Sequence, residues 1–191
     1  MSASNSAVRF TYSDYKNLTS STDDRYELLD GELYKLPAPT TRHQFIAQNL
    51  EFLLVQHVRA TDCGYVLHAP LDVVLGGGSE RSVVQPDIIF IAKERASIIT
   101  DQEVIGAPDL VVEILSPGTA KRDRGAKKAL YERSGVREYW AVDPALESVE
   151  ALRLGPAGYS EAERYGPRDR LASAVVAGFE APLSEILRSP H

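Results

Sequence analysis

A chain of 191 residues with 43% hydrophobic content and no low-complexity break can bury one substantial core, and its formal net charge of −6 argues against indiscriminate coating of nucleic acid. The start MSASNSAVRF lacks the basic and apolar regions of a secretory signal, and no apolar run approaches bilayer length, so a cytoplasmic protein without a membrane partner is expected. The lone Cys63 excludes an internal disulfide, and no Cys/His spacing resembles a structural zinc site.

The economical reading is a single domain over residues 1–191, with 1–10 a flexible N-terminus. Ser13 to Leu18 reads as a short helix, and YELLDGELYKL as two extended segments around the hairpin dipeptide Asp30-Gly31. From His43 to about Val58, Ile46, Leu50, Leu53 and Leu54 recur at helical spacing. Gly64 to Ala69, Leu71 to Leu75 and Ile88 to Ile91 read as strands. The polar loop GGGSERS between the last two lacks the ending of a phosphate-cradling loop and is taken as a hairpin connection.

Residues 92–108 give only a short helix or irregular loop. Leu110 to Leu115 is the clearest strand, followed by the turn Ser116-Pro117-Gly118 and a helix from about Arg122 to Ser134 that Gly135 stops. Strands are expected at Glu138 to Val142, Val149 to Leu154 and Leu171 to Val176, with a hairpin between the last two and a terminal helix at Leu183 to Leu187.

Two acids stand in oily surroundings, Asp87 in VVQPDIIFIA and Glu113 in PDLVVEILSPGT. Ionised carboxylates there are costly unless a cation compensates them. A divalent metal between two strands with a lysine beside it is what phosphodiester hydrolysis requires. Asp109 and Glu113 share a face of one strand, but their α-carbons lie about 13 Å apart, too far to clamp one small ion. Asp87 on the neighbouring strand is therefore the better partner, and Asp109 reads as a strand-start or turn residue. On the following helix Asp123, Lys127 and Tyr131 share a face, so Lys127 can bring an ammonium to Glu113, whereas Lys128 points towards solvent or backbone phosphate.

The stretch KRDRGAKK sets Lys121, Arg122, Arg124, Lys127 and Lys128 against the single acid Asp123, a local phosphate-attracting patch within an acidic average. Glu27 reads as an outer metal ligand or an exposed hairpin acid. His43 begins a helix where it could touch substrate or a water, or simply end the helix. Tyr131 and Trp140 read as packing residues rather than base-stacking platforms.

YELLDGELYKLPAP with TRHQ, APLDVVL, VVQPDIIFI, APDLVVEILSPGT, RDRGAKKALYERSGVREYWAVDP and GFEAPLSEIL, in this order and spacing, resemble the Uma2 (DUF820) family, restriction-endonuclease-like members of the PD-(D/E)XK nuclease superfamily. The resemblance runs from about Tyr26 to Leu187. It implies an α/β (α+β mixed) restriction-endonuclease-like core, a mixed β-sheet flanked by helices, with an added N-terminal hairpin and C-terminal strands. It also implies a metal, Mg²⁺ or Mn²⁺, held by Asp87, Glu113 and the backbone carbonyl of Ile114, with Glu27 upstream and His43 at the family's histidine position. Two residues after Glu113, where the superfamily usually keeps a lysine, stands Leu115, and the resemblance passes that role to Lys127.

The expected activity is metal-dependent endonucleolytic hydrolysis, with DNA as the expected substrate, Lys128, Arg124 and Arg122 as candidate substrate contacts, and a homodimer if both strands of a duplex are cut. Two alternatives stand beside it. One is a catalytically silent module that binds nucleic acid or a protein. The other is a structural or regulatory protein with a buried ion-pair network, which an arginine neutralising Asp87 or Glu113 with no open cleft beside them would favour.

Overall fold

In the computed structural model, residues 8–78 and 81–190 are described. Helix α1 (Tyr12–Thr19) starts at a reciprocal capping box between Thr11 and Asp14. Strands β1 (Tyr26–Leu29) and β2 (Glu32–Lys35) form a hairpin. Its turn places Asp30 and Gly31 at φ +50° and +82°, the left-handed pair that a two-residue connection demands. Helix α2 (Thr41–Thr61), capped by the Thr40 side chain, leads to β3 (Gly64–His68). Then follow β4 (Val73–Leu75), β5 (Ser82–Val84), β6 (Ile88–Ala92), a 3₁₀ turn (Lys93–Ile98), β7 (Val104–Ile105) and β8 (Leu110–Ile114).

The crossover from β8 runs through α3 (Ala120–Arg122), a π-helical turn (Asp123–Lys127) and α4 (Lys128–Ser134), where Gly135 at φ +87° ends it. The chain closes with β9 (Glu138–Asp143), β10 (Ser148–Gly155), β11 (Gly158–Tyr159), β12 (Glu163–Tyr165), β13 (Arg170–Ala172), β14 (Glu180–Pro182) and α5 (Leu183–Ile186).

The larger sheet is mixed, in the order β11-β10-β9-β8-β6-β3, with β12 also on β10; β8 and β9 are parallel and the other paired neighbours antiparallel. The smaller sheet has the order β2-β1-β5-β4-β7, and β13 pairs with β14. Alternation along β8 sends Val112 and Ile114 into a core with Ile46, Leu50 and Leu54 of α2 and Ile186 of α5. Val111 packs on the opposite face with Val73 and Val84 of the smaller sheet and Leu130 of α4. Glu113 lies on this second face and so between the two layers.

The hairpin and the long elements stand where the sequence places them. The strand expected at Leu71–Leu75 begins at Val73, and GGGSERS, of which Ser79 and Glu80 lie outside the described residues, joins β4 to the unanticipated β5 rather than to β6. Residues 92–108 hold the 3₁₀ turn and β7, which pairs in parallel with β4. The strand expected at Leu171–Val176 ends at Ala172 because Ser173, Ala174 and Val175 turn to donate hydrogen bonds to the buried carboxylate of Glu138. Of the N-terminal ten residues, 1–7 lie outside the described residues, and Phe10 N–H donates to the Gly31 carbonyl at 2.8 Å.

Candidate active site

The register Ile88↔Val112 between β6 and β8 sets Asp87, the residue before β6, across from Glu113. Opposite residues of adjacent strands have Cβ atoms about 5 Å apart on one face, so two carboxylates converge there. Asp87 is fixed by the Ile114 N–H, which donates to Oδ2 at 2.7 Å, and its Oδ1 lies 3.2 Å from His43 Nε2. His43 is held at the first turn of α2, where its N–H donates to the capping Thr40 hydroxyl.

Lys127 reaches the acids from the crossover. Its ammonium lies 2.6 Å from Glu113 Oε1, 2.8 Å from Glu27 Oε1 and 3.7 Å from Asp123 Oδ1. Lys127 closes the π-helical turn, in which the added residue widens the helix. The Tyr139 hydroxyl donates to the Asp123 carbonyl at 3.1 Å within that turn. Tyr131, one turn beyond Lys127, donates its hydroxyl to Glu113 Oε1 at 2.5 Å. Glu27 enters from β1 of the smaller sheet and accepts the Gln85 N–H at 2.9 Å.

Glu27, Glu113, Asp123 and Lys127 are all buried. Burial by itself disfavours the Lys127 ammonium, but Glu113, Glu27 and Asp123 outweigh that cost and raise its pKa above the usual lysine range. Burial pushes the Glu113 carboxyl well up, opposed by Lys127, and raises Asp123 in the same way. Tyr131 is likewise pushed up by burial and by the Glu113 charge, so its phenol stays protonated as a donor.

Glu27, Glu113, Asp123 and Lys127 line one cavity of about 430 Å³ that Asp87, His43, Ile114 and Arg122 also share. Arg122 lies over the Tyr34 ring, 4.8 Å from its centroid, with its guanidinium 3.7 Å from Glu27 Oε2. Arg124 instead pairs with Asp143 at 2.8 Å and Glu150 at 3.6 Å, and neither it nor Lys128 lines the cavity. Asp109 is buried, paired with Arg95 and Arg137, and accepts the Ala92 N–H: a structural acid apart from the cavity. Glu27, read from sequence as a ligand or an exposed acid, is fully buried within the cluster. Sequence reasoning left out Tyr131 as a partner of Glu113, because an aromatic at helical spacing signals packing first. Its position one turn after Lys127 was the available signal.

The donor set suits a hard divalent cation. The cavity lining carries Glu27, Glu51, Asp87, Glu113 and Asp123 against Arg25, Arg122 and Lys127, an excess of negative charge. Glu27 Oε2 is buried without a hydrogen bond. Among the described residues, no group of three or more His, Cys, Asp or Glu side chains is preassembled to hold a metal. Carboxylate oxygens are the ligands that hard divalent cations take, with waters completing the shell.

The family model described as "Putative restriction endonuclease", Uma2, matches residues 12–184. Two uncharacterized Synechocystis proteins are similar: slr1290 is 26% identical over 149 residues, 78% of this chain and 76% of that one, and sll1609 is 25% identical over 141 residues, 73% and 78%. A crystal structure from Anabaena variabilis, described as a "putative nuclease belonging to DUF820", superposes with a TM-score of 0.73 at 20% identity, covering 87% of this chain and 91% of that one. At that identity the likeness is one of fold. No helix among the described residues is long and apolar enough to cross a membrane.

Proposed function

Because the chain belongs to the Uma2 family of restriction-endonuclease-like proteins, we propose that it is a metal-dependent endonuclease that hydrolyses phosphodiester bonds of nucleic acid, DNA first, in the cytoplasm. One observation carries this reading. Asp87 and Glu113 from adjacent strands, Glu27 from the second sheet and Lys127 from the crossover helix meet in a single cavity.

Asp87 and Glu113, with Glu27 and the Ile114 carbonyl as further candidates, would hold Mg²⁺ or Mn²⁺. When bound, such an ion lowers the pKa of an attacking water and polarises a phosphate oxygen. Lys127 keeps its proton and offers fixed positive charge where the transition state gains negative charge. Tyr131 and Lys127 both engage Glu113 Oε1, which fixes the rotation of that carboxylate. Asp87 holds His43 in the cavity wall through Nε2, and the buried Nδ1 has no hydrogen-bond partner among the described residues. Arg122 also lines the cavity, beside Glu27, and a two-fold dimer would favour coordinated cuts in both strands of a duplex.

The test is cleavage of plasmid and single-stranded substrates in Mg²⁺ or Mn²⁺ by wild type and Asp87→Ala. Loss of cleavage in the variant is expected. Equal activity would mean a contaminating nuclease and end the assignment.

A catalytically silent binding module is the second reading. Its support is that the Lys127 ammonium is already paired with both Glu27 and Glu113. Calorimetric titration with Mn²⁺ separates the two, since a silent module would take up no ion. The structural or regulatory reading, a buried ion-pair network, would be favoured by an arginine on Asp87 or Glu113 with no open cleft beside them. Here a lysine pairs with Glu113, and the cavity opens beside both acids.

A further inference from the structure

The cation patch that the sequence suggests for gripping a duplex is dismantled in the fold. Lys127 is buried, Arg122 faces Glu27 within the cavity, and Arg124 is spent on Asp143 and Glu150, which leaves Lys121 and Lys128 of the five. Duplex binding relies on many Lys and Arg side chains set along the phosphates.

What leads to the cluster is a groove of different chemistry. Thr40, His43, Gln44, Ala47, Gln48 and Glu51 recur at helical spacing and line it along one face of α2, a wall about 16 Å long at 1.5 Å per residue. The apolar segment Leu36 to Pro39, which leads into α2, lines it as well. Beyond Thr40 and Ser116, which both pockets share, a second cavity of about 240 Å³ continues towards Arg42 and Pro144. Gln44 and Gln48 are exposed, and their carboxamides engage no hydrogen bond among the described residues. A carboxamide offers a donor and an acceptor side by side, a pair that the edge of a base can match in full while a phosphate oxygen uses only the donor.

Resting on the nuclease reading above, we infer that the groove takes an unpaired nucleic-acid strand, with bases turned towards the glutamine face of α2 and the apolar wall while one phosphate reaches Lys127. In a paired duplex the Watson–Crick edges are occupied by the partner strand. A strand can offer them to a side wall only when it is single or locally opened.

Fluorescence anisotropy on the full chain, with Ca²⁺ replacing Mg²⁺, would compare DNA and RNA single strands with the duplex of the same sequence. The two single strands distinguish the sugar, and the duplex tests the inference. Single strands should bind about ten-fold tighter than duplex, and Gln44→Ala/Gln48→Ala, both at exposed positions, should weaken single-strand binding about five-fold with little change for duplex. Duplex binding as tight as single-strand binding, or no effect of the double substitution, overturns the inference and leaves hydrolysis standing. Single-strand preference without cleavage in Mg²⁺ or Mn²⁺ supports the groove and overturns hydrolysis.

Discussion

At the residue scale, Lys127 is held by charge against burial. Its raised pKa means that its contribution to stability is fully present below the ordinary lysine value of about 10.4 and is lost only as pH rises through the higher folded value. Lys127→Ala should cost about 3 kcal/mol at neutral pH by leaving buried acids uncompensated, and less at a more acidic pH, since burial pushes the Glu113 carboxyl towards its neutral form. Denaturation curves at the two pH values check this, and cleavage should fall by about 10²–10³-fold.

Tyr131→Phe keeps the ring and removes the donor to Glu113. Urea denaturation should show a loss of about 2 kcal/mol, and cleavage should need more Mg²⁺ to reach half-maximal rate. An unchanged Mg²⁺ requirement would leave Tyr131 a packing residue. That Asp87, Glu113 and Lys127 would come together was legible in the sequence, because charges in apolar strands and a lysine on the following helix are local patterns. That Arg124 is committed to Asp143 and Glu150 was not, because a run of cations does not say which distant acids will meet it.

At the element scale, the π-helical turn should set the aim of Lys127. Deleting Ala126, an exposed residue of that turn, should let the crossover close into regular helix and swing Lys127 away from Glu27 and Glu113. Helical circular dichroism should be retained while cleavage is lost; retained cleavage would show that the widened turn is not what aims Lys127. Helix α2, the hairpin and β8 were readable because each carries a period or a turn signal over several residues. Strands β5, β7, β12 and β14 span two or three residues, too few to carry a period, and they exist because a partner strand offers unpaired backbone groups.

At the scale of the whole molecule, the sequence carried the mixed class and the family resemblance but not the division of strands between two sheets, which depends on pairing across distant segments. That division decides where the site lies. Glu27 and Gln85 belong to the smaller sheet and its flank, Asp87 and Glu113 to the larger, and Lys127 to the crossover over it.

The ion cluster is thus a gauge of alignment between layers. Its contacts of 2.6 and 2.8 Å from one ammonium to acids on two different sheets tolerate far less slip than the apolar faces around them. On gentle heating, cleavage measured at temperature should therefore fade several degrees before the far-ultraviolet circular dichroism changes. Coincident loss of both signals would mean that the two layers part only when the whole protein does.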